Sequence, residues 1–249
     1  MGYFVGIVVL LTLWLFIQNN IQKKHFHKGE MEPEWIDFLI EHVEFYNRLN
    51  DLDKYKFGIR LIHFLNKTRI VGFGGSLVTT EDKLLVGASA IIPVFNFQDW
   101  RYSFINEIII RDDYLKREGE QGFIGGFVGS GPMEGRMVLV RKALYGGFSN
   151  NTDKINTGVH EFIHIIDKED GIIDGVPKVL MHQTDIGPWL ELIRIKSKEI
   201  TKGQAKINNY ALTNQAEFFA VVSEYFFEYP ELMEKKHPKL YDSLNKVFK

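Results

Sequence analysis

Two histidines and a glutamate form the most informative pattern in the sequence, His160-Glu161-x-x-His164 within residues 157–167. On a helix, side chains four residues apart lie on one face about 6 Å from each other, so both imidazoles can bind one small cation. Glu161 is about 100° round the helix from His160, which places its carboxylate beside a water on that cation rather than in the ligand set. The spacing therefore predicts two metal ligands and a general base.

This set of side chains predicts metal-assisted hydrolysis. Zinc held by two neutral imidazoles and a carboxylate keeps a fourth position, where it lowers the pKa of a water towards about 7 and polarises a carbonyl. The alternative is an amphipathic helix whose histidines share a face without binding a metal. The apolar neighbours favour the metal site, because they set the polar face into a core: Phe162, Ile163, Ile165 and Ile166.

A carboxylate for the third ligand position occurs in a second helical stretch, residues 210–227. Glu217 and Glu224 fall on one face of that helix. Glu217 also follows Asn214 by three residues, so its carboxylate could instead complete a capping box at the start of the helix. His182 is another candidate for the third ligand, although no spacing rule points to it. The spacing alone leaves these alternatives open.

The composition is that of one folded domain with a short anchor. The 249 residues are 45% hydrophobic, which is enough for a sizeable core. No cysteine is present, which excludes disulfides and thiolate metal sites and leaves histidine and carboxylate as ligands. The net charge of −2 gives no indication of a nucleic-acid surface. We therefore expect a protein that does not bind nucleic acid.

Residues 1–20 carry no charged side chain and predict a short membrane-spanning helix. They are followed by Lys23, Lys24 and Lys28, whereas an export signal would have basic residues ahead of the apolar run. The positive-inside rule then predicts an uncleaved N-out/C-in anchor that holds the rest of the chain in the cytoplasm. The alternatives are a buried core helix and an uncleaved signal.

The rest of the chain predicts a fold of class α+β. Helical periodicity and capping residues predict helices that begin at Pro33, cover residues 52–66 and begin again after Thr79. Two runs predict strands, residues 107–111 and 136–141, separated by a glycine-rich stretch. We expect a small antiparallel or mixed sheet ahead of the metal helix, with an open edge along which an extended peptide could pair.

Three blocks of the sequence resemble the zinc metallopeptidases typified by Mlc titration factor A, a bacterial cytosolic protein. The blocks are residues 159–167, 214–227 and 230–241. The catalytic core of this family is similar to the protease domain of anthrax lethal factor. The resemblance implies a zincin-like fold with a small sheet and mostly helices, one zinc ion per chain, and peptide hydrolysis.

The resemblance also implies a role for each matching residue. The positions of the zinc ligands are His160, His164 and Glu217. Glu161 matches the general base. Tyr210, seven residues before Glu217, matches a tyrosine that can face the reaction oxyanion in the lethal-factor type of site.

The chain departs from the family pattern in two places. The hydrophobic residues 1–20 are not part of the soluble members of the family. Val221 stands where thermolysin-like sites have an aspartate that supports a metal-binding histidine from behind. That support must then come from other carboxylates, and the candidates are Asp167 and Glu224.

We therefore expect three segments, an anchor (residues 1–20), a juxtamembrane linker (residues 21–31) and a zinc-dependent peptidase domain (residues 32–249). The expected substrate is a peptide or protein, hydrolysed with Glu161 as the general base. The alternative is a regulatory binding protein that sequesters a transcriptional repressor or another partner, with the zinc core as a scaffold. The resemblance supports this alternative too, because the protein that typifies the family sequesters a sugar-regulon repressor.

Overall fold

The computed structural model describes residues 31–115, 124–150 and 152–249. The predicted anchor, residues 1–20, lies outside these ranges, and so does nearly all of the predicted linker. None of the helices within the described ranges is long and apolar enough to span a membrane. The anchor and its orientation therefore stay predictions.

The described part of the chain is mostly helical. In chain order, the α-helices are α1 (Pro33–His42), α2 (Glu44–Asn47), α3 (Asp51–Lys67), α4 (Thr80–Ile91), α5 (Arg141–Ser149), α6 (Thr157–Lys168), α7 (Gln183–Thr201), α8 (Gln215–Glu228), α9 (Pro230–Lys236) and α10 (Pro238–Phe248). Short 3-10 helices cover Phe73–Gly75, Ile92–Val94, Gly131–Met133 and Asn209–Leu212. The three helices predicted in the first part of the domain are confirmed as α1, α3 and α4.

One mixed sheet accompanies the helices. Its strands are β1 (Arg69–Gly72), β2 (Glu107–Arg111), β3 (Gly126–Val128) and β4 (Arg136–Val140), in the order β1-β2-β4-β3. β1, β2 and β4 are parallel, while β3 is antiparallel to β4 and forms one edge. The predictions of β2 and β4 are confirmed, except that β4 ends at Val140 and Arg141 begins α5. β1 and β3 were not predicted.

The start of α4 shows how local sequence sets a helix boundary. The Thr79 hydroxyl accepts a hydrogen bond from the Asp82 N–H at 3.2 Å, and the Asp82 carboxylate accepts one from the Thr79 N–H at 2.9 Å. This capping box satisfies two N–H groups that a helix end leaves unpaired. Asp82 also forms an ion pair with Arg141, which ties the start of α4 to the first residue of α5.

Helix α6 runs through the core. Every residue from 158 to 167 is buried, and the helix packs against α4, α5, α8, β3 and β4. Phe162 contacts the rings of Phe64 and Tyr102, with centroid distances of 5.6 and 5.2 Å. Because protein interiors are close-packed, these contacts fix the position of α6 and of the polar side chains that it carries.

Helices α4 and α6 are in close contact at Gly158. A Cβ atom at this position would lie 2.1 Å from Ser89 Oγ and 2.9 Å from Ser89 Cβ. The Ser89 hydroxyl is itself held by a hydrogen bond that it donates to the Leu85 carbonyl at 2.9 Å. A residue without a side chain is therefore required where α6 crosses α4.

The substitution Gly158→Ala should destabilise the fold, because the added methyl group forces α4 and α6 apart. We expect the free energy of unfolding to fall by about 1–3 kcal/mol, the usual cost of overpacking a core. Gly146→Ala in α5 is the matched control, since a Cβ atom there would meet no atom within 4 Å. That variant should be neutral or more stable by up to about 1 kcal/mol. Urea unfolding followed by circular dichroism measures both, and an unchanged stability of Gly158→Ala would contradict the close packing.

Candidate metal centre

The two histidines of the sequence pattern lie side by side on α6. The helix begins after Asn156, whose side-chain oxygen accepts a hydrogen bond from the Val159 N–H at 3.0 Å. His160 and His164 are each 9% exposed, and their ring centroids are 4.8 Å apart. Their Nε2 atoms are 3.1 Å apart. The helix thus turns both nitrogens towards one point, as the four-residue spacing predicts.

Glu217 brings a carboxylate to the same point from the first turn of α8. Its Oε2 atom lies 3.0 Å from His160 Nε2 and 3.3 Å from His164 Nε2. The N-cap of α8 is Asn214, whose side-chain oxygen accepts a hydrogen bond from the Glu217 N–H at 2.9 Å. The backbone of Glu217 therefore takes part in the cap, while its carboxylate faces the histidines.

Within the described ranges, His160, His164 and Glu217 are the group of side chains that could hold a metal ion. Ligands about 2.0–2.1 Å from a tetrahedral zinc are about 3.3 Å from one another. The separations between Glu217 and the two histidines, 3.0 and 3.3 Å, match that value. His182 is exposed at the start of α7 and does not belong to the group. The residues present therefore fit a divalent metal with nitrogen and oxygen ligands.

Glu224, one of the two predicted supporting residues, contacts the ring nitrogen of His160 that does not face Glu217. Its Oε1 atom lies 2.7 Å from His160 Nδ1. A carboxylate can only accept, so Nδ1–H is the donor and the lone pair of Nε2 is left for a metal. The other oxygen of Glu224 accepts from the Asn156 N–H at 2.7 Å, and the Asn156 side-chain amide donates to Glu228 at 3.0 Å. Asn156 thus links the start of α6 to two carboxylates of α8.

Asp167, the other predicted supporting residue, has a different partner. It is fully buried, and its Oδ2 atom accepts a hydrogen bond from the Gly175 N–H at 2.7 Å. Burial raises the pKa of Asp167 to about 6. Its Oδ1 atom and the Nδ1 atom of His164 have no hydrogen-bond partner among the described residues. In this structure Asp167 therefore holds the loop after α6, and no hydrogen bond joins it to His164.

Burial and neighbouring charges shift the pKa values of the site. Burial raises the pKa of Glu161. Burial lowers the pKa of His160, but the carboxylates of Glu224 and Glu217 outweigh it and raise that pKa well above its ordinary value. Burial would raise the pKa of Glu217, yet hydrogen bonds with the two histidines hold it well below its ordinary value. The carboxylates therefore favour a positive charge at this point, either a proton on the imidazole or a bound cation.

A cleft of about 470 Å³ opens over the histidines and Glu161. β3 forms one wall, and a Cβ atom at Gly126 would lie 2.9 Å from Glu161 Cγ and 3.0 Å from Glu161 Oε1. The edge strand thus passes directly beside this carboxylate. Tyr210 also lines the cleft; it is 49% exposed, and its ring centroid is 6.0 Å from that of His160. A molecule in the cleft can reach both Glu161 and Tyr210.

Two residues that shape the site were not predicted from the sequence. Asn156 stands directly before a helix, where asparagine is a favoured N-cap, so its capping role had a local signal. No local signal in the sequence indicates its contacts with Glu224 and Glu228, because these contacts join residues about 70 positions apart. Gly126 belongs to a glycine-rich stretch without strand alternation, so its place beside Glu161 emerges only from the folded chain.

Comparisons with known proteins found one matching family and several relatives. The family described as glucose-regulated metallo-peptidase M90 matches residues 17–249. An uncharacterized protein of Synechocystis sp. is 25% identical over 91% of this chain and 87% of its own length. Mlc titration factor A of Serratia proteamaculans is 25% identical over 91% of this chain and 90% of its own length. Mlc titration factor A of Yersinia pestis is 24% identical over 95% of this chain and 89% of its own length.

The Glu228 carboxyl group makes the stability of the folded protein depend on pH. Burial raises the pKa of Glu228 from its ordinary 4.5 to about 8. The nearby charges of Glu224 and Asp153 also raise this pKa, whereas the charge of Arg48 lowers it. The folded state thus holds this proton more tightly than the unfolded state. Its contribution to stability is complete below a pH of about 4.5 and is lost as the pH rises through about 8.

The substitution Glu228→Gln should therefore stabilise the protein at alkaline pH. One pKa unit corresponds to about 1.4 kcal/mol, and partial exposure reduces the effect, so we expect a gain of about 1–2 kcal/mol near pH 8.5 and almost none near pH 5. Thermal unfolding at the two pH values measures it. Glu234→Gln, at an exposed position of α9, is the control and should show no such difference. An equal effect of Glu228→Gln at both pH values would mean that Glu228 is not protonated in the folded state.

Proposed function

Because the chain belongs to the glucose-regulated metallo-peptidase M90 family, we propose that it is a zinc-dependent peptidase that hydrolyses peptide or protein substrates. The proposal rests on one observation above all. Three ligand atoms, from His160, His164 and Glu217, converge at 3.0–3.3 Å from one another beside the buried carboxylate of Glu161. An open cleft gives a substrate access to that point.

The ligand set would hold the metal in a defined orientation. When bound, a zinc ion lowers the pKa of a water and polarises a carbonyl group. His160 and His164 would present their Nε2 atoms, and Glu217 its Oε2 atom. The hydrogen bond from His160 to Glu224 fixes the tautomer and the ring orientation of the first ligand, which outer carboxylates commonly do in metal sites.

Glu161 would act as the general base. Its carboxylate is 5% exposed and lies in the wall of the cleft, next to the ligand atoms but outside the ligand group. It would take a proton from the attacking water on one oxygen and later deliver that proton to the leaving amine. Gly126 leaves room for the carboxylate, because any side chain there would meet Glu161 within about 3 Å.

Tyr210 would donate a hydrogen bond to the substrate carbonyl oxygen as negative charge develops on it. Its ring lies beside that of His160 and is half exposed to the cleft. It stands on a 3-10 helix that is anchored by the Asn208 side chain, which accepts from the Tyr210 N–H at 3.0 Å. A donor placed there stabilises the transition state more than the ground state.

The sheet edge indicates how a substrate would lie. β3 is the last strand in the sheet order, and it forms the wall of the cleft next to Glu161. A peptide in extended form could pair with β3 through backbone hydrogen bonds, which are independent of the side chains of the peptide. Apolar side chains of the cleft, Ile124, Phe127, Val128 and Ile173, would then contact those of the substrate.

A regulatory role is the second candidate function, and the names of the relatives favour it. Two of them are called Mlc titration factor A, a name that indicates titration of a partner, Mlc. This chain could bind a transcriptional regulator in the same way, with the metal core as a scaffold. In that case a surface outside the cleft would carry the function, and Glu161 would be dispensable.

The substitution Glu161→Gln separates the two candidates. We expect the zinc-loaded variant to cleave a peptide library about 10²–10⁴ times more slowly than the wild type, the range for loss of a general base, while its zinc content stays the same. Mass spectrometry of the products and metal analysis give the two readouts. Glu41→Gln, at a position whose side chain is 76% exposed on α1, is the control and should retain full activity.

If the wild type cleaves no peptide, or if Glu161→Gln cleaves as fast as the wild type, the peptidase proposal is wrong and the binding role is favoured.

The substitution Tyr210→Phe tests the oxyanion donor. We expect kcat to fall about 10²–10³-fold, while KM and zinc affinity change little, because the lost hydrogen bond forms only in the transition state. Steady-state kinetics on a cleavable peptide measure this. Tyr55→Phe, on the surface of α3 and 61% exposed, is the control. A kcat equal to that of the wild type would remove Tyr210 from the mechanism.

A further inference from the structure

A second cavity is separate from the metal cleft. It has a volume of about 490 Å³ and is formed by α3, the end of α4 and the segment of residues 98–106. It shares no lining residue with the metal cleft. Its volume falls in the range of sites that bind small molecules, about 300–1,000 Å³.

The wall of this cavity carries an excess of positive charge. Arg60, Lys67 and Arg101 all line it, and Asp99 is the acidic side chain among the lining residues. None of the three cations forms an ion pair within the part of the chain that the structure describes. The cavity is therefore positive although the whole chain has a net charge of −2.

Arg60 is held in place at this wall. Its guanidinium donates to the carbonyl oxygens of Val94 at 2.8 Å and of Phe95 at 2.5 Å. Burial lowers the pKa of Arg60, which means that its charge is only partly solvated. Carbonyl dipoles compensate a buried charge incompletely, so an anion in the cavity would stabilise it further.

The rest of the wall is apolar and aromatic. Phe64, Trp100 and Tyr102 contribute rings, and aliphatic side chains are added by Ile59, Ile91, Val94 and Ile105. The indole N–H of Trp100 is buried and has no acceptor among the described residues, which is rare for a buried donor. Rings of this kind bind a flat or hydrocarbon group, whereas an inorganic anion would leave them uncovered.

We propose that this cavity binds a small organic anion, a molecule that joins a phosphate or carboxylate group to a ring or hydrocarbon portion. The cations would bind the acidic group and the aromatic wall would cover the remainder. The cavity also lies against the back of the metal helix. Phe64 and Tyr102 contact Phe162, which is about 200° round α6 from His160.

The test uses three probes on the purified full-length chain: phenyl phosphate, phenol and inorganic phosphate. We expect saturable binding of phenyl phosphate by titration calorimetry with a Kd of about 1 mM or lower, and at least about tenfold weaker binding of each of the other two. The double variant Lys67→Gln/Arg101→Gln should weaken phenyl phosphate binding about tenfold or more. Both positions are exposed, so the fold should be retained, which circular dichroism verifies.

The double variant Lys202→Gln/Lys236→Gln is the matched control, since it removes the same charge from exposed positions outside the cavity. It should bind phenyl phosphate as the wild type does. Three results would overturn the proposal: no saturable binding of phenyl phosphate up to about 10 mM, binding that survives in Lys67→Gln/Arg101→Gln, or inorganic phosphate that binds as tightly as phenyl phosphate. Binding of phenyl phosphate to the metal centre instead of the cavity would produce the second of these results.

Discussion

The concentration of buried negative charge around two imidazoles is the constraint on which the rest of the structure depends. Glu161 and Glu224 are each 5% exposed, and the side chain of Glu217 is 16% exposed. Carboxylates removed from water in this way are unfavourable unless a positive charge compensates them. A divalent cation between His160, His164 and Glu217 would meet that requirement and would leave Glu161 free beside it. The arrangement that a cation would stabilise is therefore also the one that the proposed hydrolysis requires.

The fold holds this charge in place by joining two helices. Asn156 caps α6 and also donates to Glu224 and Glu228 of α8, so the two helices that carry the ligands share one hydrogen-bonded junction. Gly158 lets α6 lie against α4, and the ring of Phe162 fixes its other side. The ligands are therefore placed by a rigid core, whereas Tyr210 and the edge strand β3 are placed at the opening of the cleft. Functional sites carried by packed helices and strands hold their residues more precisely than sites built on loops.

The parts of this site that could be predicted from the sequence are those set by local spacing. The positions of His160 and His164 follow from the period of one helix, and the capping residues mark several helix starts correctly. Glu217 is different, because its local pattern allowed both a cap and a ligand, and the resemblance to a family was needed to assign it. The partner of Asp167 could not be predicted, since Gly175 reaches it through a loop with no periodic pattern. The short strands β1 and β3 were missed for the same reason, as pairing across the sheet defines them.

X-ray absorption at the zinc edge of the full-length, zinc-loaded chain tests the central claim most directly. The account predicts two imidazole nitrogens and one carboxylate oxygen at about 2.0–2.2 Å, together with a further light atom in the open position. In Glu217→Ala the carboxylate contribution should disappear and zinc affinity should fall sharply. A site with three imidazoles, as His182 would produce, would contradict the assignment of Glu217, and so would an unchanged spectrum in Glu217→Ala.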